Sequence, residues 1–335
     1  MRVAVAGLGG AAVRGHLPAL AALEAERRIF VVGACDPDRR RRVDAERLLP
    51  GLVTFGSAAE MLTMVESDLL VIAADPSAHA DLAMLGAANG QHILCEKPAG
   101  ITSSQLAALA AIREQHPDRG LIASYQYRFS RQWSFFSRFL KAAARSGRPV
   151  KMSVDVMRPY TDQHAVSDWR EDPAMGGGLA DHAVHFIALA RELGGQLEVL
   201  DAERRYDGHG RERVTAHLTV GESRIDMCVS YQAPERSTQL AVACDSFYLH
   251  CKDSALALDQ GSRGSRRVSV PALSSRGHVD ALYGSMYQDL LVGIGQPDWR
   301  RHRAEELLDV SRCLTVLLAT AEHDFSGVSR LKLAA

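Results

Sequence analysis

The chain has 335 residues, 47% of them apolar, enough to bury a substantial core and more natural for two domains than for one. Its 39 basic and 40 acidic residues leave a formal net charge of −1, which argues against a general nucleic-acid or anionic-membrane binder. Six cysteines without a CxxC pair argue against a zinc ribbon, a thioredoxin-like centre and a secreted disulfide framework. The N-terminus carries no leader pattern and no apolar run reaches membrane length. The expectation is a cytoplasmic protein with neither a membrane nor a nucleic-acid partner.

RVAVAGLGG (2–10) is a short apolar, β-branched run ending in glycines, the pattern of a buried parallel strand. Gly7-x-Gly9-x-x-Ala12 and a helical pattern follow, a dinucleotide fingerprint in its Gly-x-Gly-x-x-Ala form. Gly7 permits the tight turn and Gly9 lets the backbone approach a pyrophosphate. Gly10 and Ala11 lead into the helix N-terminus that would receive it. RIFVVGACD (28–36) ends a second strand at Asp36, an acceptor for adenosine ribose hydroxyls that favours NAD. Arg39 and Arg40 follow, within reach of a 2′-phosphate, and keep NADP open.

DLLVIAAD (68–75) is a further buried strand, and SAHADLAMLGAANG (77–90) a helix stopped at Asn89-Gly90. QHILCEKPAG (91–100) is a strand and turn. Strand and helix at this rhythm predict a doubly wound parallel sheet of the Rossmann type, with ligands at the strand carboxyl ends. Ala74, Asp75, His79, Glu96 and Lys97 complete the cofactor set read at those ends, although His79 at a helix opening also suits a structural role.

PVKMSVDVMRPY (149–160), LEVLDAERRY (197–206), RVTAHLTV (213–220), RIDMCVSYQ (224–232) and TQLAVACDSFYLHC (238–251) read as successive strands between turn-like separators. No long helix interrupts them after 195, which suits a large, mostly antiparallel sheet. ALALD (255–259) and RRVSVPA (266–272) are possible extensions, while DQGSRGSRRVS (259–269) reads as the most mobile loop. Two closing helices follow from 277 and 304, with Tyr283 and Tyr287 on the first read as structural.

GGGLADHAVH (176–185) concentrates glycines before groups that bind protons or metals. In a helix over 179–193, Asp181 and His185 share a face and His182 lies about a quarter turn away. No HxH, HExxH or cysteine pair supplies further ligands, so no metal is expected.

The stretches VAVAGLGGAAVRGHLPAL, VIAADPSAHADLAMLGAANGQHILCEKPAG, SYQYRFS and DWREDPAMGGGLADHAVH, in this order over roughly the first 195 residues, resemble the Gfo/Idh/MocA family of NAD(P)-dependent oxidoreductases. The resemblance implies a nicotinamide dinucleotide-binding Rossmann domain over 1–122. Over 123–335 it implies a substrate-binding and oligomerisation α/β domain with a large, mostly antiparallel open sheet, whose face would join a homo-oligomer (dimer or tetramer). It also implies a cis Lys97–Pro98 peptide. Lys97, Asp181 and His185 become the catalytic set, with Arg128, Trp169, Arg170 and His182 beside them for substrate. In that chemistry His185 is the general acid/base, Lys97 polarises the reacting oxygen and Asp181 accepts a substrate hydroxyl, with Lys97 and His185 able to exchange the proton-transfer role.

The glycines would let the backbone pass close to substrate. Asp75 replaces the family's usual proline, Ala183 a glycine and Ala188 an aspartate, which puts the particular substrate in doubt. The expected activity is hydride transfer, with NAD or NADP, at a secondary alcohol or ketone of a small polyhydroxylated substrate: a sugar, cyclitol or nucleotide-linked sugar. Redox-assisted glycoside cleavage with retained NAD, and a non-catalytic nicotinamide sensor, are the alternatives.

Overall fold

The computed structural model describes residues 1–159, 175–208, 210–245, 247–273 and 275–321, so Trp169 and Arg170 lie outside the described residues. It divides into two compact units. The first comprises Met1–Trp133 and Ser275–Arg312; the second comprises the described residues of Ser134–Ser274 and Cys313–Ala335. The helices in chain order are α1 (Leu17–Ala25), α2 (Arg39–Leu48), α3 (Ala58–Met64), α4 (His79–Ala88), α5 (Ser103–Gln115), α6 (Arg131–Arg145), α7 (Gly177–Ala190), α8 (Arg276–Gly293) and α9 (Pro297–Ala321).

The first unit is built on six strands: β1 (Arg2–Ala6), β2 (Phe30–Cys35), β3 (Thr54–Phe55), β4 (Leu69–Ile72), β5 (His92–Cys95) and β6 (Leu121–Ala123). They pair only in parallel, in the order β3-β2-β1-β4-β5-β6. The order reverses between β1 and β4, so their carboxyl ends form the topological switch point where such sheets bind ligands. The two-residue period of the strands supplies two cores. Val3, Val5, Leu69 and Val71 pack with Leu17 and Leu20 of α1 and Met286 and Leu290 of α8. Ala4, Ala6, Leu70 and Ile72 pack with Ala83 of α4, Leu109 of α5 and Leu307 of α9. Asp38, Ser57 and Thr102 start α2, α3 and α5 by accepting from Arg40, Glu60 and Gln105 backbone N–H groups.

The second unit carries β7 (Lys151–Pro159), β8 (Leu197–Tyr206), β9 (Glu212–Val220), β10 (Ser223–Ala233), β11 (Ser237–Cys244), β12 (Phe247–Lys252), β13 (Ala255–Asp259) and β14 (Ser265–Ser269). Their order is β14-β13-β12-β11-β7-β10-β9-β8, and only β7 with β10 is parallel. Met152, Val154 and Val156 of β7 and Val214, Ala216 and Leu218 of β9 alternate into one buried face. Two expectations are corrected here. The segment 238–251 is not one strand but the antiparallel pair β11 and β12, which closes at Cys244 opposite Phe247. The supposed mobile loop is largely an edge hairpin: β14 pairs with β13 from Asp259–Ser265 to Ala255–Ser269, and Gly264 turns it at φ +88. Its polar residues sit at an exposed edge, which a composition reading takes for a loop.

Gly7 fixes how β1 meets β4. Its φ is +93, and a Cβ there would lie within 2.5 Å of the Ala73 carbonyl carbon. Gly7→Ala is therefore expected to destabilise the first unit by roughly 2–4 kcal/mol, since strain and a backbone clash add. Denaturant unfolding of the full chain checks this; a loss below about 1 kcal/mol would contradict the close approach.

Candidate functional site

The loops after β1, β2, β4 and β5 form one connected rim. Gly7 N–H donates to the Cys35 carbonyl at 2.8 Å. Asp36, 3% exposed, accepts Leu8 N–H at 2.9 Å on Oδ2 and Asp38 N–H at 2.8 Å on Oδ1. The Asp36 carboxylate thus anchors the glycine loop from the end of β2. Gly7 abuts Ala73 and Ala74 after β4. His79 then spans from Ala74 to the turn after β5: Nε2 faces the Ala74 carbonyl at 3.1 Å and Nδ1 the Pro98 carbonyl at 2.8 Å. The ring is 1% exposed, and burial lowers its pKa. His79, expected either in the cofactor set or in a structural role, braces two loops of this rim. The Lys97–Pro98 peptide is cis. Asp75 caps its own short turn, accepting from the N–H and hydroxyl of Ser77.

The glycine loop fits a diphosphate. A five-residue π-helical segment, Ala12–His16, follows it and leads into α1. Beside Gly9 and Gly10 stand two guanidinium groups that the sequence reading did not single out. Arg41 Nη1 lies 3.9 Å from where a Gly9 Cβ would sit and 3.6 Å from Asp36 Oδ2; Arg14 Nη1 lies 2.8 Å from the equivalent point at Gly10. Arg40 is exposed, and its backbone N–H serves the α2 cap. One helical turn decides which member of the arginine run faces the loop, and composition alone does not resolve that.

In the second unit Asp181 and His185 lie four residues apart on α7, 7% and 1% exposed. His182 is not turned away from the aspartate: its Nε2 lies 3.5 Å from Asp181 Oδ2 and 3.4 Å from the Tyr231 hydroxyl. The glycines before them serve packing inside this unit. A Cβ on Gly177 would lie 2.7 Å from Glu212 Oε1, and one on Gly178 would lie 2.8 Å from Glu212 Oε2 and 2.5 Å from the Tyr231 ring. Glu212 reaches over from β9 to accept Gly178 N–H at 2.8 Å, capping a helix whose own N-cap, Gly176, has no side chain. Arg204 pairs with that carboxylate at 3.2 Å, and burial raises the Glu212 pKa. The space read as an approach to substrate is filled by Glu212 and Tyr231.

Arg128 is held within the first unit. It pairs with Glu306, stands 5.4 Å over the Trp133 ring, and Glu306 also meets Arg303 at 3.3 Å. No group of three or more metal-ligating side chains occurs among the described residues. No described helix is long and apolar enough to cross a membrane.

Glu96, next to Lys97, is 4% exposed. Its Oε1 receives the Ser124 hydroxyl at 2.7 Å, the Tyr283 hydroxyl at 2.7 Å and His16 Nε2 at 3.0 Å; Oε2 receives the Lys97 backbone N–H at 3.1 Å. Burial alone would raise this carboxyl, but the His16 hydrogen bond and charge, the Lys97 charge and the Tyr283 hydroxyl outweigh it and hold the group down at about 2. Burial and the carboxylate push Tyr283 well above its ordinary value, so it stays a donor. A carboxyl lowered from 4.5 to about 2 stabilises the fold above pH 4.5, and that contribution is lost as pH falls through 2. Urea unfolding is expected to show stability falling by about 3 kcal/mol over that window, and Glu96→Gln to flatten the fall. An identical pH slope in the variant would refute the assignment.

A model of the Gfo/Idh/MocA oxidoreductase family, its NAD-binding Rossmann fold, matches residues 1–124. An uncharacterized oxidoreductase, C115.03, from Schizosaccharomyces pombe is 28% identical over 214 residues, 59% of this chain and 55% of that protein. The chain spans about half the length of the first curated relatives it matches. Myo-inositol 2-dehydrogenase from Lactobacillus plantarum superposes with a TM-score of 0.76 at 16% identity, over 96% of this chain and 97% of that one. KijD10, a 3-ketoreductase from Actinomadura kijaniata in complex with NADP and TDP-benzene, gives 0.75 at 19%, over 96% and 98%. These two likenesses bear on the fold alone. Residues 1–124 thus match the NAD-binding Rossmann fold of the Gfo/Idh/MocA oxidoreductase family.

Proposed function

We propose that the protein is an NAD(P)-dependent oxidoreductase acting on a secondary alcohol or ketone of a sugar, cyclitol or nucleotide-linked sugar. The observation that carries this reading is the continuous rim from Asp36 through Leu8, Gly7, Ala74 and His79 to the Lys97–Pro98 turn. It runs along the carboxyl ends of one parallel sheet, with Lys97 at one end and a ribose acceptor at the other. The polyhydroxylated substrate class is proposed by analogy with the inositol dehydrogenase and the 3-ketoreductase, with which the chain shares its fold.

When bound, the nicotinamide supplies the hydride acceptor or donor. The Lys97 ammonium polarises the reacting oxygen and stabilises developing negative charge on it. His185 takes the hydroxyl proton in oxidation and returns it in reduction. Asp181 accepts a substrate hydroxyl and favours the imidazolium; its neighbour His182 joins the substrate set. Asp36 supports NAD as the preferred cofactor, and Arg41 beside it supports a residual capacity for NADP. The six free thiols suit a reducing, cytoplasmic setting. The exposed Leu200 and Tyr248 of the eight-stranded sheet support a homo-oligomer formed through it.

Absorbance at 340 nm, across sugars, inositols and nucleotide sugars with both cofactors, tests the activity; no turnover with any of them would count against it. Lys97→Met and His185→Ala are each expected to lower kcat by about 10²–10⁴-fold with NADH affinity changed less than about tenfold. Unchanged kcat in either would remove that residue from the mechanism. Arg41→Ala should weaken NADPH binding, followed by nicotinamide fluorescence, by roughly tenfold relative to NADH. An unaltered NADPH-to-NADH ratio would place the 2′-phosphate elsewhere.

A further inference from the structure

The Glu96 carboxylate accepts from three separate parts of the first unit at once. His16 ends the π-helical segment after the glycine loop, Ser124 follows β6, and Tyr283 comes from α8. His16 is itself fixed through Nδ1 by the Tyr287 hydroxyl at 2.7 Å. Tyr283 packs over Gly15 so closely that a Cβ there would lie 2.5 Å from its ring. With three donors on Oε1, the carboxylate has its second oxygen left to act with, and that oxygen holds the backbone N–H of Lys97.

We propose that Glu96 is the positioning residue of Lys97: a buried, caged anion that fixes the lysine's backbone and sets the electric field at its ammonium, with His16, Ser124 and Tyr283 as the cage. The proposal rests on the role given to Lys97 above. A fixed charge in a poorly polarisable interior acts more strongly on its neighbour than a solvated one, and the donors keep it from swinging away. The charged and titratable groups facing the carboxylate are His16, Lys97, Tyr283, Tyr287 and, across the Pro98 turn, His79 with Asp75 behind it. All except Glu96 stay in place in the isosteric variant Glu96→Gln.

Two measurements on the full chain test this without substrate. Acetylation of Lys97 by acetic anhydride at one fixed pH, read by mass spectrometry, is expected to quicken by about tenfold in Glu96→Gln, where the caged charge is gone. Deuterium exchange of the Lys97 amide, to which Pro98 adds no exchanging neighbour on its C-terminal side, is expected to quicken about tenfold or more in Tyr283→Phe, which keeps the charge and removes one donor. The second variant also serves if Glu96→Gln does not fold. An unchanged acetylation rate in folded Glu96→Gln, or unchanged exchange in Tyr283→Phe, overturns the proposal. Both shifts in a chain with no oxidoreductase activity would sink the functional reading and leave the role of Glu96 standing.

Discussion

The loops after β1 and β4 approach each other at a distance that admits no Cβ, and the first unit is organised around that approach. Gly7 alone supplies both the positive φ and the missing side chain. Because the turn is this tight, Leu8 N–H falls to Asp36 and Gly7 N–H to the end of β2. Because Ala74 is drawn against Gly7, its carbonyl is in reach of His79, which passes the constraint on to Pro98. The dinucleotide loop and the lysine turn are therefore fixed by one line of short contacts, some between backbone groups and the rest from backbone to the buried side chains of Asp36 and His79.

A different economy governs α7. Three successive glycines look like an opening for a ligand, yet a carboxylate and a phenol ring from neighbouring strands fill the space at Gly177 and Gly178, and Ala180 and Leu318 fill it at Gly176. Glu212 is costly to bury, as its raised pKa reflects, and what offsets the cost is the helix N-terminus together with Arg204. Thirteen of the fourteen residues of α7 are buried, so Asp181 and His185 stand on an element with little freedom to move.

Elements whose signal is local were legible in the sequence. The apolar runs gave β1, β2, β4 and β5 but not the two- and three-residue β3 and β6, the fingerprint gave the glycine turn, and Asn89-Gly90 gave the end of α4, where Gly90 adopts φ +79. α6 shows a helical spacing at Trp133, Phe136, Leu140 and Ala143 that a chain-order reading passes over. Contacts made at long range were not legible. His16 meets Glu96 across 80 residues and Tyr287 across 271; Tyr283 meets Glu96 across 187. No spacing rule joins such positions, and Tyr283 and Tyr287 read as plain core. The nearest hint for His16 was a histidine at the junction of the fingerprint and an apolar first helix, a feature that alone means little. Roles read for Glu96 and His79 from their place at strand ends ran into the same limit, since a strand end can face inward as well as toward ligand.

The edges of the eight-stranded sheet carry one more consequence. β14, every residue of which is exposed, presents Arg266 and Arg267, and β8 at the opposite edge presents Glu198, Asp201 and Arg205. Unpaired strand edges are templates for runaway pairing between chains, and charge on them makes addition of a further strand unfavourable. The sheet is thus finite by electrostatics at both ends. Growth along the hydrogen-bonding direction is thereby discouraged, whatever else the flat of the sheet contacts.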